Sequence, residues 1–575
     1  MRRVALGLAC LAVVLVGQAT PSRPSHAAVY ARYAVAADHP LASDAGARVL
    51  AAGGNAADAA AATMLALGVV SPASSGLGGG GFALYYRASD RSLTFLDFRE
   101  TAPGAATNDM FARREGDTDE VAAQRSMTGG LAVAVPGEPA GIDALIARFG
   151  SRRVTRAQIA SHAERYAREG FAVSRYVSDS SRVALALLRG DTLLAGWLGA
   201  DGIAQGARIT NPQLAATLRT FGRQGAAPFY RGAIARAIVD AVSARGGVMT
   251  AEDLAGYAVR ERTPISRDAF GRRWVSAPPP SAGGITMLQS LALLEAWQPE
   301  GGWREGAAFR HALTQSWIGS YVDRAAYLGD PDHADVPTAA LLADDRIARR
   351  AAIFDRDRAL PAERWELPLA PDETRAPSAP PSDHGTSHLC VVDEEGNIAA
   401  VTTTVNLLFG ARVSAAGMVL NDEMDDFARE LGAPNAFGLP GGAANLPRPG
   451  ARPVSSMAPT IVFEGSRPVM CVGASGGSRI PTATEQVALV SLLFDAEIGE
   501  AMSRPRVHQQ GSPATTLVER GVDTGTRLAL WRRGHDVSET PTVANVQTIR
   551  IVRRDGVVEL HAASDPRKDG EPRGE

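Results

Sequence analysis

Two strand–turn–strand units dictate the architecture of this chain. Residues 386–406, "TSHLCVVDEEGNIAAVTTTVN", read as strand, Glu-Glu-Gly-Asn turn and strand, and residues 455–475, "SSMAPTIVFEGSRPVMCVGAS", repeat the pattern. A Gly-rich turn leads "SSGLGGGGFALYYR" into "SLTFLDFRE", a further hairpin of a buried sheet. Helical patterns lie around these units. Residues 41–68 give two Ala-rich helices broken at Gly53-Gly54-Asn55, with Asn55 placed to cap the second. Residues 138–260 are mostly helical, "APPPSAGGITMLQSLALLEAW" is a proline turn feeding another helix, and "TATEQVALVSLLFDA" and "TGTRLALWRRG" add two more. "ANVQTIRIVRRDGVVELHAAS" closes the chain with strands. Helices, then strands, then helices predict an α+β protein of packed sheets with helices outside.

With 575 residues the chain can bury a large core, and a net charge of −3 without a long basic run argues against nucleic acid or an anionic membrane as partner. Lys568 is the only lysine; arginine replaces it everywhere else, which reads as a coding bias. The start, "MRRVALGLACLAVVLVGQATPSRPSHAA", has a basic head, an apolar run from Val4 to Val16, and small residues at the two positions a signal peptidase reads. It predicts a secretory signal over residues 1–27, cleaved after Ala27, and a periplasmic or secreted protein. No later segment is apolar and long enough to span a membrane. Of the remaining cysteines, Cys390 and Cys471 lie far apart in apolar strand-like runs, where buried free thiols are expected. Residues 361–385, rich in Pro, Ser and Asp, read as an exposed flexible segment.

The junction after that segment, "SDHGTSHLCVVD", places Thr386 at the head of a strand. A small hydroxyl there is either a turn residue or a nucleophile. Its company downstream favours the second. Thr404 and Asn406 stand in "TVN", "NDEMDDF" brings clustered carboxylates, "RPVSSM" a pair of serines, and "GASGGSR" consecutive glycines. Carboxylates can hold a substrate ammonium, serines and an arginine can hold a carboxylate, and successive glycines expose N–H groups to an oxyanion. His388 would share a strand face with Thr386, so a Thr–His–Asp triad is conceivable. No metal-ligand spacing, phosphate loop or cofactor motif is present.

In these motifs the chain resembles the γ-glutamyltranspeptidases. The resemblance runs from "GGNAADAAAATMLALGVVSPASSGLGGGGF" through "FLDFRETAP", "ERTPISRDAFGRRW", "PPPSAGG" and "YLGDP" to "ASDPR". It implies an N-terminal-nucleophile hydrolase: a four-layer αββα sandwich, made as one precursor that cuts itself at Gly385–Thr386. The large subunit would be 28–385 and the small catalytic subunit 386–575, intertwined as a heterodimer. It further implies that Thr386 is the nucleophile, that Thr404 orients it, and that Gly476 and Gly477 form the oxyanion hole. Arg99, Ser455 and Ser456 would bind the substrate α-carboxylate, Asn406, Glu423 and Asp426 its α-amino group, and Phe437 in "PNAFGLPGG" would be a lid residue. Substrates would be glutathione and other γ-glutamyl compounds, with water, amino acids or peptides as acceptors. Ser387, Leu389 and Thr403 depart from the family's usual residues. A related glutaryl or cephalosporin acylase, and a non-catalytic γ-glutamyl- or peptide-binding homologue, are the alternatives.

Overall fold

The computed structural model describes residues 26–369 and 385–575. The expected signal segment lies outside them, except that strand Ala27–Tyr30 spans the expected cut and pairs with Val557–Ser564.

Two seven-stranded sheets stack face to face. One runs, in spatial order, Arg573–Gly574, Ala34–Ala37, Gly385–Val392, Ile398–Asn406, Gly80–Arg87, Ser92–Phe98 and Arg260–Arg262. The other runs Ala27–Tyr30, Val557–Ser564, Asn545–Arg554, Arg467–Ser475, Thr460–Glu464, Arg272–Ser276 and Ile265–Ala269. All pairings within them are antiparallel. Both sheets mix strands from before and after Gly385, so the two sides of that residue are interlocked by backbone hydrogen bonds. The expected hairpins and helices all form.

Period two explains the layers. On strand Gly385–Val392, Leu389 and Val391 join the core shared with the helices Pro40–Ala51 and Ala56–Val70, while Cys390 and Val392 join the core between the sheets. Beyond the second sheet lie the helices Gly283–Ala296, Ala307–Tyr327 and Ile480–Leu493. Helix Ala56–Val70 is buried on nearly every side, which its run of alanines permits. Its start is fixed as expected: Asn55 accepts from the backbone N–H of Asp58, and Asp58 accepts from that of Asn55.

One expectation is corrected. Cys390 and Cys471 are not free thiols; they are disulfide-bonded, with Cα atoms 5.9 Å apart. Each lies on the inner face of its own sheet, so stacking brings together residues that the sequence separates by 81 positions. Closing a loop of that length restricts the unfolded chain. The Cys390→Ala/Cys471→Ala double variant is therefore expected to lose about 2–4 kcal/mol of unfolding free energy, read as a lower urea midpoint. An unchanged midpoint would remove the bond from the stability account. Most of residues 361–369 are exposed, as expected, yet the stretch is anchored from beneath. Trp365 is fully buried, Arg350 donates to its carbonyl at 3.2 Å, and Arg346 donates to that of Leu367 at 2.7 Å. Asp323 forms ion pairs with both arginines. Residues 370–384 of that segment lie outside the described residues.

Candidate active site

Thr386 opens an inner strand of the first sheet, opposite Thr404 on the neighbouring strand, and a register shift falls between Gly385 and Thr386. Such a bulge frees the local backbone from regular pairing at the junction itself. Gly385 is forced by space: a Cβ there would meet the Ala73 carbonyl at 2.1 Å. The Thr404 hydroxyl donates to the Gly385 carbonyl at 2.9 Å, receives the Asn406 N–H at 2.8 Å, and stands 3.1 Å from the Thr386 hydroxyl. With its one proton on the carbonyl, the Thr404 oxygen can only accept from Thr386. It is therefore placed to orient the Thr386 hydroxyl and to polarise the Gly385 carbonyl.

His388 takes no part. Its Nδ1 pairs with the Thr402 hydroxyl at 2.8 Å, and burial pushes its pKa down to about 3, leaving a neutral ring packed on Gly473. The triad contemplated from the sequence does not form. The family departures point elsewhere too. Ser387 bonds the Ser75 hydroxyl at 3.2 Å, Leu389 packs in the helix-side core, and Thr403 donates to the buried carboxyl of Glu138.

Asn406 links this centre to the acidic segment: its side-chain amide donates to the Asp422 carbonyl at 3.0 Å. There the structure brings Arg99, Glu423 and Asp426 into direct ion pairs. The sequence assigned these residues to opposite ends of a substrate; in the free site they satisfy one another. Burial drives Glu423 and Asp426 above the usual carboxyl range, against the opposing pull of Arg99. Burial likewise raises Glu100, which stands 3.8 Å from Arg99 and has both oxygens unpartnered. Arg99 Nε donates to the Pro453 carbonyl at 3.2 Å, just before Ser455 and Ser456. Ser455 is held by the Pro280 carbonyl at 3.0 Å.

The segment predicted to form a lid hangs on the same acidic stretch. Asn435 donates to Asp426 at 3.2 Å, the Ala436 N–H donates to Asp425 at 2.9 Å, and Phe437 is buried. Gly476 and Gly477, with φ of 138° and 59°, turn the chain from strand Arg467–Ser475 toward helix Ile480–Leu493. Only glycine takes such a pair without strain. A cleft of about 1220 Å³ is lined by Leu407 and Ala436, the chain neighbours of Asn406 and Asn435, and by none of the predicted site residues themselves.

Sequence reasoning missed Lys568. This sole lysine is buried, donates to the Thr386 carbonyl and pairs with Asp38 at 2.9 Å beneath the ring of Tyr176. Asp38 in turn receives Gln547 at 2.5 Å. The uniqueness of Lys568 was the one available signal. Lys568→Met strands the Asp38 carboxylate and is expected to cost about 3–5 kcal/mol of stability. Adding Asp38→Asn should recover much of that loss in urea unfolding, whereas additive losses would refute the pairing.

Two sheets face to face between helical layers, with a threonine heading an inner strand, define the class of N-terminal-nucleophile hydrolases. The comparisons narrow the class. The family model described as Gamma-glutamyltranspeptidase matches residues 42–574, and the chain belongs to that family. A glutathione hydrolase proenzyme of Escherichia coli (strain K12) is 36% identical over 543 residues, covering 93% of this chain and 90% of the relative. Another, from Pseudomonas sp. (strain A14), is 39% identical over 492 residues, covering 84% and 82%. Among solved structures, a cephalosporin acylase from Bacillus halodurans has a TM-score of 0.81 at 24% identity, covering 98% of this chain and 99% of that one; it speaks for the fold.

Proposed function

We propose that this chain is a self-processing γ-glutamyltransferase and glutathione hydrolase whose nucleophile is Thr386. The observation that carries the reading is the Thr404 hydroxyl, which touches both the Thr386 hydroxyl and the Gly385 carbonyl. In maturation the Thr386 oxygen attacks that carbonyl, the amide shifts to an ester, and water opens the ester. The products are a large subunit 28–385 and a small subunit 386–575, held together by the shared sheets.

Cutting also creates a base. A backbone amide cannot take a proton, whereas a free α-amino group titrates near ~7.7–8.0 and sits on the nucleophile's own residue. Thr386 then attacks a γ-glutamyl carbonyl, with Gly476 and Gly477 receiving the oxyanion. The leaving amine departs, and water, an amino acid or a peptide takes its place and receives the acyl group. The γ-glutamyl zwitterion replaces internal ion pairs rather than creating new buried charge: its ammonium takes Glu423 and Asp426 with Asn406, and its carboxylate takes Arg99 with Ser455 and Ser456. Glutathione, the substrate named for the relatives, carries that zwitterion. Among the described residues no helix is long and apolar enough to cross a membrane, which accords with a periplasmic or secreted enzyme.

The test is release of p-nitroaniline from γ-glutamyl-p-nitroanilide, with and without a dipeptide acceptor, beside N-terminal sequencing of the smaller fragment. Release with a fragment beginning at Thr386 is expected. A single full-length chain that releases nothing would refute the reading.

A further inference from the structure

Helix Ala307–Tyr327 carries a cation that none of these roles uses. Arg324 is 5% exposed, and its Nε has no hydrogen-bond partner. Among the described residues no carboxylate pairs with it and no acceptor receives its side chain. The charged groups that act on it are Asp426, which attracts it, and Arg99, which repels it, together with the Tyr321 phenol. One turn earlier, Tyr321 donates to the Ser478 carbonyl in the glycine turn. Arg324 is thus buried within the charge field of Asp426 and Arg99, three residues after the tyrosine that holds the glycine turn.

A buried guanidinium without an acceptor is costly, because its hydration is lost and nothing replaces it. Burial pulls its pKa down against the attraction of Asp426, yet a guanidinium keeps its proton. Arg99 differs sharply: Nε serves Pro453, one terminal nitrogen serves Glu423 and the other Asp426. A carboxylate entering this site meets one arginine whose three nitrogens already donate and a second that donates to nothing.

We propose that Arg324 is a specificity-determining residue of the γ-glutamyl site, binding the substrate α-carboxylate together with Arg99. This rests on the γ-glutamyl reading above. The substrate ammonium draws Glu423 and Asp426 toward itself, and the substrate carboxylate supplies the acceptor that Arg324 lacks. A planar fork suits a planar carboxylate, so lysine would replace it only in part.

The experiment compares γ-glutamyl-p-nitroanilide with 4-aminobutyryl-p-nitroanilide, which keeps the amine and lacks the α-carboxylate, in the wild type, Arg324→Gln and Arg324→Lys. Inhibition by glutamate and by 4-aminobutyrate is measured alongside. Arg324→Gln is expected to raise KM for the γ-glutamyl substrate and Ki for glutamate by about 10- to 100-fold, the range for one buried charge-assisted hydrogen bond. The constants for the 4-aminobutyryl compounds should stay near those of the wild type, and Arg324→Lys should fall between. Should Arg324→Gln fail to mature on a denaturing gel, the Arg324→Lys shift in the ratio of the two KM values decides. Equal losses on both substrates, or no loss on either, overturn the proposal while leaving the γ-glutamyl reading intact. A wild type inactive on the γ-glutamyl substrate overturns both.

Discussion

Thr386→Ala is expected to remain one unbroken chain and to lose at least about 10⁴-fold in γ-glutamyl release. The substitution removes the oxygen that must attack, and nothing nearby replaces it. Thr404 still reaches the Gly385 carbonyl, but its own proton is committed there and its oxygen faces the position Thr386 has vacated. His388, the other polar side chain on that strand face, is neutral and bonded to Thr402. Two losses therefore coincide: no ester forms at the junction, so no α-amino base is liberated, and no acyl-enzyme could form if it were. Thr386→Ser keeps an oxygen within reach and should both mature and turn over at reduced rate. Denaturing electrophoresis and p-nitroaniline release check the two halves together. Two fragments from Thr386→Ala, or undiminished release, would remove Thr386 from its role.

Local chemistry made much of this molecule legible in sequence. Asn55 was readable as a cap because capping depends on three adjacent residues, and the hairpins were readable because period-two runs and their turns are contiguous. Thr386 stood out through a resemblance spread along nearly the whole chain. What escaped depends on how distant segments stack. The bond between Cys390 and Cys471 requires knowing that two hairpins lie in facing sheets. The Lys568–Asp38 pair joins positions at opposite ends of the chain, and a composition rich in arginine disguised the lysine as bias. Trp365 sits in a segment whose prolines and charges suggest solvent, yet two arginines bound to Asp323 clamp its backbone. The same limit hid the pairing of Arg99 with Glu423 and Asp426. Sequence supplied the right charges and gave no sign that they neutralise one another in the free site.

That pairing makes Asp426→Asn the sharpest separation of a γ-glutamyl enzyme from an acylase. The variant is expected to lose about 10²–10³-fold in kcat/KM on γ-glutamyl-p-nitroanilide, the consequence of withdrawing the carboxylate that would pair with the buried substrate ammonium, a truncation that costs roughly 3–5 kcal/mol. Glutaryl-p-nitroanilide has the carboxylate without the ammonium. In the wild type it must take Arg99 from Asp426 and leave that carboxylate buried and unpaired; in Asp426→Asn it meets an arginine already partly released. Its kcat/KM should therefore hold or rise. The pH dependence has the same sign. Asp426 must be ionised to hold an ammonium, and burial raises its pKa against the pull of Arg99 and Arg324. Discrimination between the two substrates should thus weaken as pH falls through that raised value, and Asp426→Asn should flatten the trend. Asn435 donates to Asp426, so part of any loss could come from the lid. Asn435→Ala isolates that part, since it frees the lid while leaving the carboxylate in place. Equal losses of both substrates in Asp426→Asn would dissolve the ammonium site and with it the preference for γ-glutamyl over glutaryl donors.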